Sequence, residues 1–238
     1  MTAPNRTAGR PSPAPTPTPR PNKRDAEATR QDIMKVALTE FSRHGLEGSR
    51  IDRIADQTHT SKRMIYYYFG SKEGLYQQVL VAAYRHIRES EVELGLNHYE
   101  PVAGLQTLVR STLRHYENNI DFIRLVLFEN SYEVGAVHLM SDDVRSLNVS
   151  ALDVIEDLLV RGRASGVFRE GPTALDVHQT ITALCFFRVS DRHSWNGLFG
   201  SDMLGEKDSP HVRALIEDTV LRLVLIDPEG TPRPLGRA

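Results

Sequence analysis

The 238-residue sequence predicts an all-α protein of about nine helices in two parts, and three observations carry that expectation. Apolar residues recur at spacings of three and four along most of the chain. No stretch alternates apolar and polar residues over a useful strand length. Gly, Asn, Pro and Ser fall in the gaps between the periodic segments, where helices start and stop.

Composition narrows the class. With 40% hydrophobic and 7% aromatic residues the chain can build a sizeable core in one or two domains. No apolar run approaches the ~18 residues of a membrane span, and the N-terminus lacks a signal-peptide core. The expectation is a soluble, cytoplasmic protein. A single cysteine, Cys185, excludes an internal disulfide and a multi-cysteine zinc site. No His/Asp/Glu set has a metal-ligand spacing, so neither a metal nor another cofactor is expected. The net charge of −2 is unevenly placed: residues 1–24 carry +5, residues 25–80 sum to zero, and the remainder carries −7. Contact with a polyanion therefore belongs to the front of the chain.

The first 24 residues hold seven of the thirteen prolines and almost nothing apolar. They cannot repay the entropy of ordering and read as a disordered, partly polyproline II tail. From Asp25, the residues Ile33, Met34, Ala37, Leu38 and Phe41 form one helical stripe, ended by His44-Gly45. Ser49 stands three residues before Asp52, an acidic capping box, ahead of a short helix with Ile51, Ile54 and Ala55. Thr58-His59-Thr60 breaks the pattern, and Ser61 caps a third helix, Lys62 to Phe69. Ser71 then caps a long helix with Leu75, Val79, Leu80, Ala83 and Ile87 on one face. Three such helices, the second pair joined by a tight turn, describe a helix-turn-helix unit. Five more helices follow at about 101–117, 120–132, 142–165, 174–194 and 210–226, leaving 228–238 as a flexible tail.

The third helix divides its faces. Lys62, Arg63, Tyr66 and Tyr67 share one side as i,i+4 pairs, whereas Ile65 and Phe69 point to the other. Four consecutive aromatic or apolar residues cannot all face inward on a helix, so donors and rings are left outward, as a major-groove reader needs. Arg63 or Lys62 suits guanine O6 and N7, and the tyrosines suit phosphates and thymine methyls. Lys72, at the start of the next helix, is placed for a phosphate.

These residues carry a resemblance. The stretch G-L-E-G-S-R-I-D-R-I-A-D-Q-T-H-T-S-K-R-M-I-Y-Y-Y-F-G-S-K-E-G-L, Gly45 to Leu75, resembles the DNA-binding unit of TetR family transcriptional regulators. Ser49, Ile54-Ala55, Ser61, Tyr66, Tyr68-Phe69 and Ser71-Lys72-Glu73 fall on the family pattern. The helix face and the resemblance together give expected DNA contacts at Ser49, Arg50, Ser61, Lys62, Arg63, Tyr66, Tyr67 and Lys72, within a DNA-binding domain over 25–72. Three positions depart from it: His59 replaces the turn glycine, Thr60 the turn valine, and Met64 a frequent threonine. Histidine tolerates positive φ better than most residues, whereas Met64 removes a hydroxyl, and Arg50 stands ready to supply a phosphate contact instead.

Residues 73–227 resemble the helical effector-binding and dimerisation domain of such regulators, notably at 116–131 and 186–194. Candidate pocket residues are Phe122, Arg124, Phe128, Asn130, His138, Phe186 and Phe187. The last helix is apolar on more than one side, which calls for a second copy of the chain. The expected dimer interface comprises Ile181, Leu184, Cys185, Arg188, Val212, Leu215, Ile216, Val220 and Leu223. The expected function is a ligand-responsive regulator, not an enzyme. It represses as a homodimer on a palindromic operator in double-stranded DNA and is released by a small-molecule effector, with no membrane partner. Two other readings stand beside it. One is a helical carrier or enzyme with an incidental helix-turn-helix, which shows no G-x-S-x-G, phosphate loop or H-E-x-x-H. The other is an effector-free architectural DNA binder, marked by sequence-independent, salt-sensitive binding.

Overall fold

The computed structural model describes residues 23–131, 142–205 and 209–226. Ten α-helices and one 3-10 turn occur among them. In chain order they are α1 (Lys23–Gly48), α2 (Ile51–Gln57), α3 (Lys62–Phe69), α4 (Lys72–Glu93), the 3-10 turn (Leu96–His98) and α5 (Pro101–Asn118). The remaining helices are α6 (Ile120–Ser131), α7 (Asp142–Ala164), α8 (Ala174–Ser190), α9 (Arg192–Phe199) and α10 (Ser209–Val224). The tail expected over 1–24 lies outside the described residues except for Lys23 and Arg24, which begin α1. The tail expected over 228–238 lies outside them as well.

Two apolar clusters organise these helices. The first gathers Ile33, Ala37 and Phe41 of α1, Ile51 and Ile54 of α2, Ile65 and Phe69 of α3, and Leu75, Tyr76, Val79 and Leu80 of α4. The second gathers Ile87 of α4, Leu105, Leu108 and Leu113 of α5, Phe122 and Ile123 of α6, and residues of α7, α8 and α10. Two helices serve both: α4 gives its first half to one cluster and Ile87 to the other, and α6 sends Leu125 into the first and Phe122 into the second. The two clusters are therefore joined through the packed side chains of α4 and α6.

Local chemistry sets the helix ends. Gly45 breaks α1 with φ 65° and ψ −177°, a backbone conformation reserved in practice for glycine. A Cβ there would also lie 2.9 Å from Cδ1 of Phe128 on α6, so the missing side chain lets α6 approach. Pro101 opens α5 where a missing N–H costs nothing. Thr173 and Asp176 form a reciprocal capping box at α8: Asp176 N donates to Thr173 Oγ1 at 3.2 Å, and Thr173 N to Asp176 Oδ2 at 2.9 Å. After α7 the chain runs beside the end of α10, where Arg169 N donates to Val224 O at 2.8 Å and Ile226 N to Val167 O at 3.1 Å.

The structure corrects several expectations. The capping box at Ser49 and Asp52 does not form. Arg50 occupies the N-cap of α2 without a side-chain cap, while the buried Ser49 hydroxyl donates to Gly45 O at 2.5 Å. The helix expected over 174–194 stops at Ser190. A second helix, α9, continues to Phe199 through Trp195, which stands in a ladder with Phe187 at 5.5 Å and Phe199 at 4.6 Å. Five of the nine residues expected at a dimer interface belong instead to the subunit interior: Ile181, Cys185, Arg188, Ile216 and Val220 are all buried. The stripes they form on α8 and α10 face α5 and the rest of their own bundle, because the more apolar side of an amphipathic helix goes to the larger core. Cys185 is fully buried, and burial pushes its thiol up to about 12. Leu184, Val212, Leu215 and Leu223 are the members that retain exposure.

Candidate nucleic-acid interface and effector cavity

The turn between α2 and α3 is built from polar groups that satisfy the end of α2. Thr58 Oγ1 donates to Ile54 O at 2.8 Å, Thr60 N to Ala55 O at 3.0 Å, and Thr60 Oγ1 to Thr58 O at 3.2 Å. His59 takes φ 50°, the turn geometry that glycine adopts more easily, and is the sole non-glycine at positive φ among the described residues. Ser61 then caps α3, accepting from Met64 N at 3.3 Å.

With Ile65 and Phe69 buried, α3 can face only one way. Lys62 and Arg63 are exposed, Tyr66 is 46% exposed and Tyr67 78%. Lys62 pairs with Asp52 of α2, and Arg50 lies 3.8 Å from the same carboxylate. The hydrogen bond from Lys62 is the main cause holding the Asp52 carboxyl below its ordinary value. Arg63 makes no protein contact of this kind among the described residues. The Ser71 hydroxyl accepts from Gly74 N at 3.0 Å, and Lys72 Nζ donates to Ser49 O at 3.5 Å. That bond draws the start of α4 to the α1–α2 junction. Ser49 itself is buried, with its hydroxyl turned to Gly45 O. Ser61 is exposed but engaged as a cap.

One residue absent from the sequence reading organises the junction. Glu40 of α1 is buried and accepts from Arg50 N at 3.1 Å and Arg53 Nη1 at 3.4 Å. A carboxylate against the first turn of α2 is favoured by the helix dipole. In sequence it stands at the edge of the apolar stripe of Ile33 and Ala37, and the packing of α2 over it supplies Arg50 and Arg53 as partners.

The second half contains a cavity of about 330 Å³ lined by α4, α5, α6, α7 and α8. Tyr84 and Arg88 come from α4, Tyr116 from α5, Phe122, Val126 and Asn130 from α6, Asn148 from α7, and His178, Thr182 and Phe186 from α8. Of the residues expected at a pocket, Phe122, Asn130 and Phe186 meet here. The others do not. Phe128 packs on Gly45, Phe187 meets Trp195 edge to face, and Arg124 pairs with Asp121 at 3.6 Å beside a groove of about 580 Å³ on the other side of Phe122 that α1 also lines. His138 lies outside the described residues. Sequence reading missed Tyr84 and Arg88, which look like ordinary members of a long amphipathic helix, and Tyr116, which looks like core. Burial lowers His178 and drives His115 down to about 4, so both rings are neutral near pH 7.

A helix-turn-helix that turns basic and aromatic side chains to solvent, joined through α4 to a helical bundle with a lined cavity, defines a DNA-binding regulator class. Comparison with known proteins gives the family. Residues 33–79 match the bacterial regulatory proteins of the tetR family, and residues 101–220 match the Tetracyclin repressor-like C-terminal domain. The HTH-type transcriptional repressor NicS of Pseudomonas putida is 32% identical over 83% of this chain and 92% of its own length. The HTH-type transcriptional repressor SCO4008 of Streptomyces coelicolor is 49% identical over 70% of this chain and 81% of its own. In fold, the chain is similar to the regulator SCO4942 from Streptomyces coelicolor, with a TM-score of 0.61 at 24% identity over 82% of this chain and 98% of that one. It is also similar to FadR from Bacillus subtilis in complex with stearoyl-CoA, with a TM-score of 0.58 at 16% identity over 81% and 96%. The chain belongs to the TetR family: it is a DNA-binding transcriptional repressor of the ligand-responsive kind.

Proposed function

We propose that the protein represses transcription as a homodimer on a two-fold-symmetric operator, and that a small molecule in the α4–α8 cavity releases it. The carrying observation is α3, whose inward Ile65 and Phe69 leave Lys62, Arg63, Tyr66 and Tyr67 directed outward as one row. In this reading Arg63 reads base edges, Lys62 and the tyrosines add groove and phosphate contacts, and Arg50 and Lys72 hold the backbone. The unit that binds DNA spans about 25–72, and the unit that binds effector and partner spans about 73–227.

The dimer face in this reading is the outer side of α8 and α10. Leu184 and Leu223 share a surface groove there with Ala183 and Thr219, and Leu215 is exposed nearby. A helix with apolar residues left outside a satisfied core is served by a second copy. Release runs through α4, a 22-residue helix that carries Leu75 and Val79 in one cluster and Tyr84 and Arg88 at the cavity. The Tyr76 hydroxyl also donates to Glu129 of α6 at 2.6 Å, so α4 and α6 shift together. A coupling of ~1–3 kcal/mol between the sites changes operator affinity by roughly 5–150-fold.

The test is selection of fragmented genomic DNA by the full chain at near-physiological salt, followed by sequencing. A two-fold-symmetric motif supports the reading. Ligand-stripped protein that enriches nothing would overturn it.

A further inference from the structure

We propose that the cavity between α4 and α8 takes a compact aromatic carboxylate, its ring among Tyr84, Tyr116, Phe122 and Phe186 and its carboxylate on Arg88. The inference rests on the regulator reading above and names the effector class for that same site. Size is the first argument. About 330 Å³ is near the lower end of the ~300–1,000 Å³ range of organic-ligand sites, enough for one or two rings but not for a long acyl chain.

The walls give the second argument. Tyr84 and Phe122 lie edge to face at 5.3 Å, Tyr116 and Phe186 at 6.2 Å, and Tyr116 and Phe122 stand 6.0 Å apart. A flat ring entering this set meets both ring faces and ring edges, the arrangement that aromatic quadrupoles favour.

Charge gives the third. Among the described residues lining the cavity Arg88 alone carries a fixed charge, and no carboxylate lines it. Arg88 is 6% exposed and donates from Nη1 to Glu91 Oε2 at 2.5 Å, while its buried Nε has no acceptor. Glu91 does not line this cavity but an adjoining small void that shares Tyr116, His178 and Thr182 with it. A guanidinium carries five donors in a planar fork, and a carboxylate accepts from one that Glu91 leaves unused. Burial raises the Glu91 carboxyl despite the arginine beside it. One guanidinium, already shared, suits a monoanion and not a phosphate dianion. Asn130 and Asn148 each spend one N–H on their own helix, at Val126 O and Val144 O, and keep further polar capacity at the rim.

Calorimetric titration of the full chain tests this with benzoate, phenylacetate and 2-naphthoate against two controls. Benzamide keeps the ring and loses the charge; cyclohexanecarboxylate keeps the charge and loses the ring. The expected result is that at least one aromatic carboxylate binds and that both controls bind about tenfold or more weakly. The double substitution Arg88→Gln/Glu91→Gln keeps a hydrogen-bonded pair in place, and it should weaken the carboxylate by about 10- to 100-fold. No binding by any aromatic carboxylate overturns the proposal, as does benzamide or cyclohexanecarboxylate binding as well as its partner, or an unchanged affinity in a folded double variant. The comparison of probes on the unaltered chain decides the matter if the double variant does not fold. Binding of the selected duplex without effector is measured separately. A protein that binds duplex and none of the probes keeps the regulator reading and loses this one; the reverse result does the opposite.

Discussion

Replacing Gly45 by alanine probes the joint between the helix-turn-helix and the bundle. Two costs act at this position. At φ 65° and ψ −177° an L-residue is strained, by ~1–3 kcal/mol for such sparsely populated regions. The new methyl would also stand 2.9 Å from Cδ1 and 3.2 Å from Cε1 of Phe128, and overpacking of this kind costs ~1–3 kcal/mol. Because one backbone shift relieves part of both, the expected loss is about 2–4 kcal/mol, a large share of the ~5–15 kcal/mol that holds a typical domain folded. Urea denaturation of the full chain, followed by circular dichroism, measures it. A cycle with Phe128→Ala separates the two costs: in that background Gly45→Ala should lose about 1–3 kcal/mol of its effect, the steric part, and retain the strain. Operator affinity should fall too, since Gly45 O accepts from the Ser49 hydroxyl and Ser49 O from Lys72. A loss below about 0.5 kcal/mol, or an equal loss in both backgrounds, would refute the reasoning.

Four further outcomes are expected. Arg63→Ala should cost ~1–3 kcal/mol on the selected operator and relax its sequence preference, read by competition with mutated duplexes. Lys72→Ala should weaken all duplexes about evenly and flatten the dependence of affinity on salt. Stability should rise with pH between about 4 and 6.5 on account of His115, which is neutral in the fold down to about 4 while the unfolded chain binds its proton from 6.5 downward. Thermal melting across that window should show a shallower slope in His115→Gln. Finally, Leu215→Glu should shift the protein from dimer to monomer in sedimentation while leaving it folded, whereas Val220→Glu, which buries a charge in the subunit core, should prevent folding. A Leu215→Glu protein that remained dimeric would move the interface elsewhere.

The helix-turn-helix was legible because its information is local. Ser61 and Ser71 act through hydrogen bonds to residues three positions on, and a face such as Lys62-Arg63-Tyr66-Tyr67 follows from helical spacing alone. His59 stands where the family resemblance places the turn glycine, and it takes the positive φ which that position implies. Ser49 shows the limit of such reasoning. Its spacing to Asp52 matched a capping box, but the chain gave its hydroxyl to Gly45 O once Gly45 had turned the backbone.

The sequence by itself determined the class of fold, the order of the helices in the first half and which face of α3 is left to solvent, because each depends on residues within a turn or two of one another. Only the tertiary structure decided the rest. Ile181, Cys185, Ile216 and Val220 went to the core and Leu184, Leu215 and Leu223 stayed nearer the surface, a division that α5 and the other helices of the bundle impose. Arg88 and Tyr84 met Tyr116, Phe122 and Phe186 from three other helices to line one cavity. A helix apolar on two sides has two ways to face, and the choice belongs to its neighbours, whose positions no local spacing encodes.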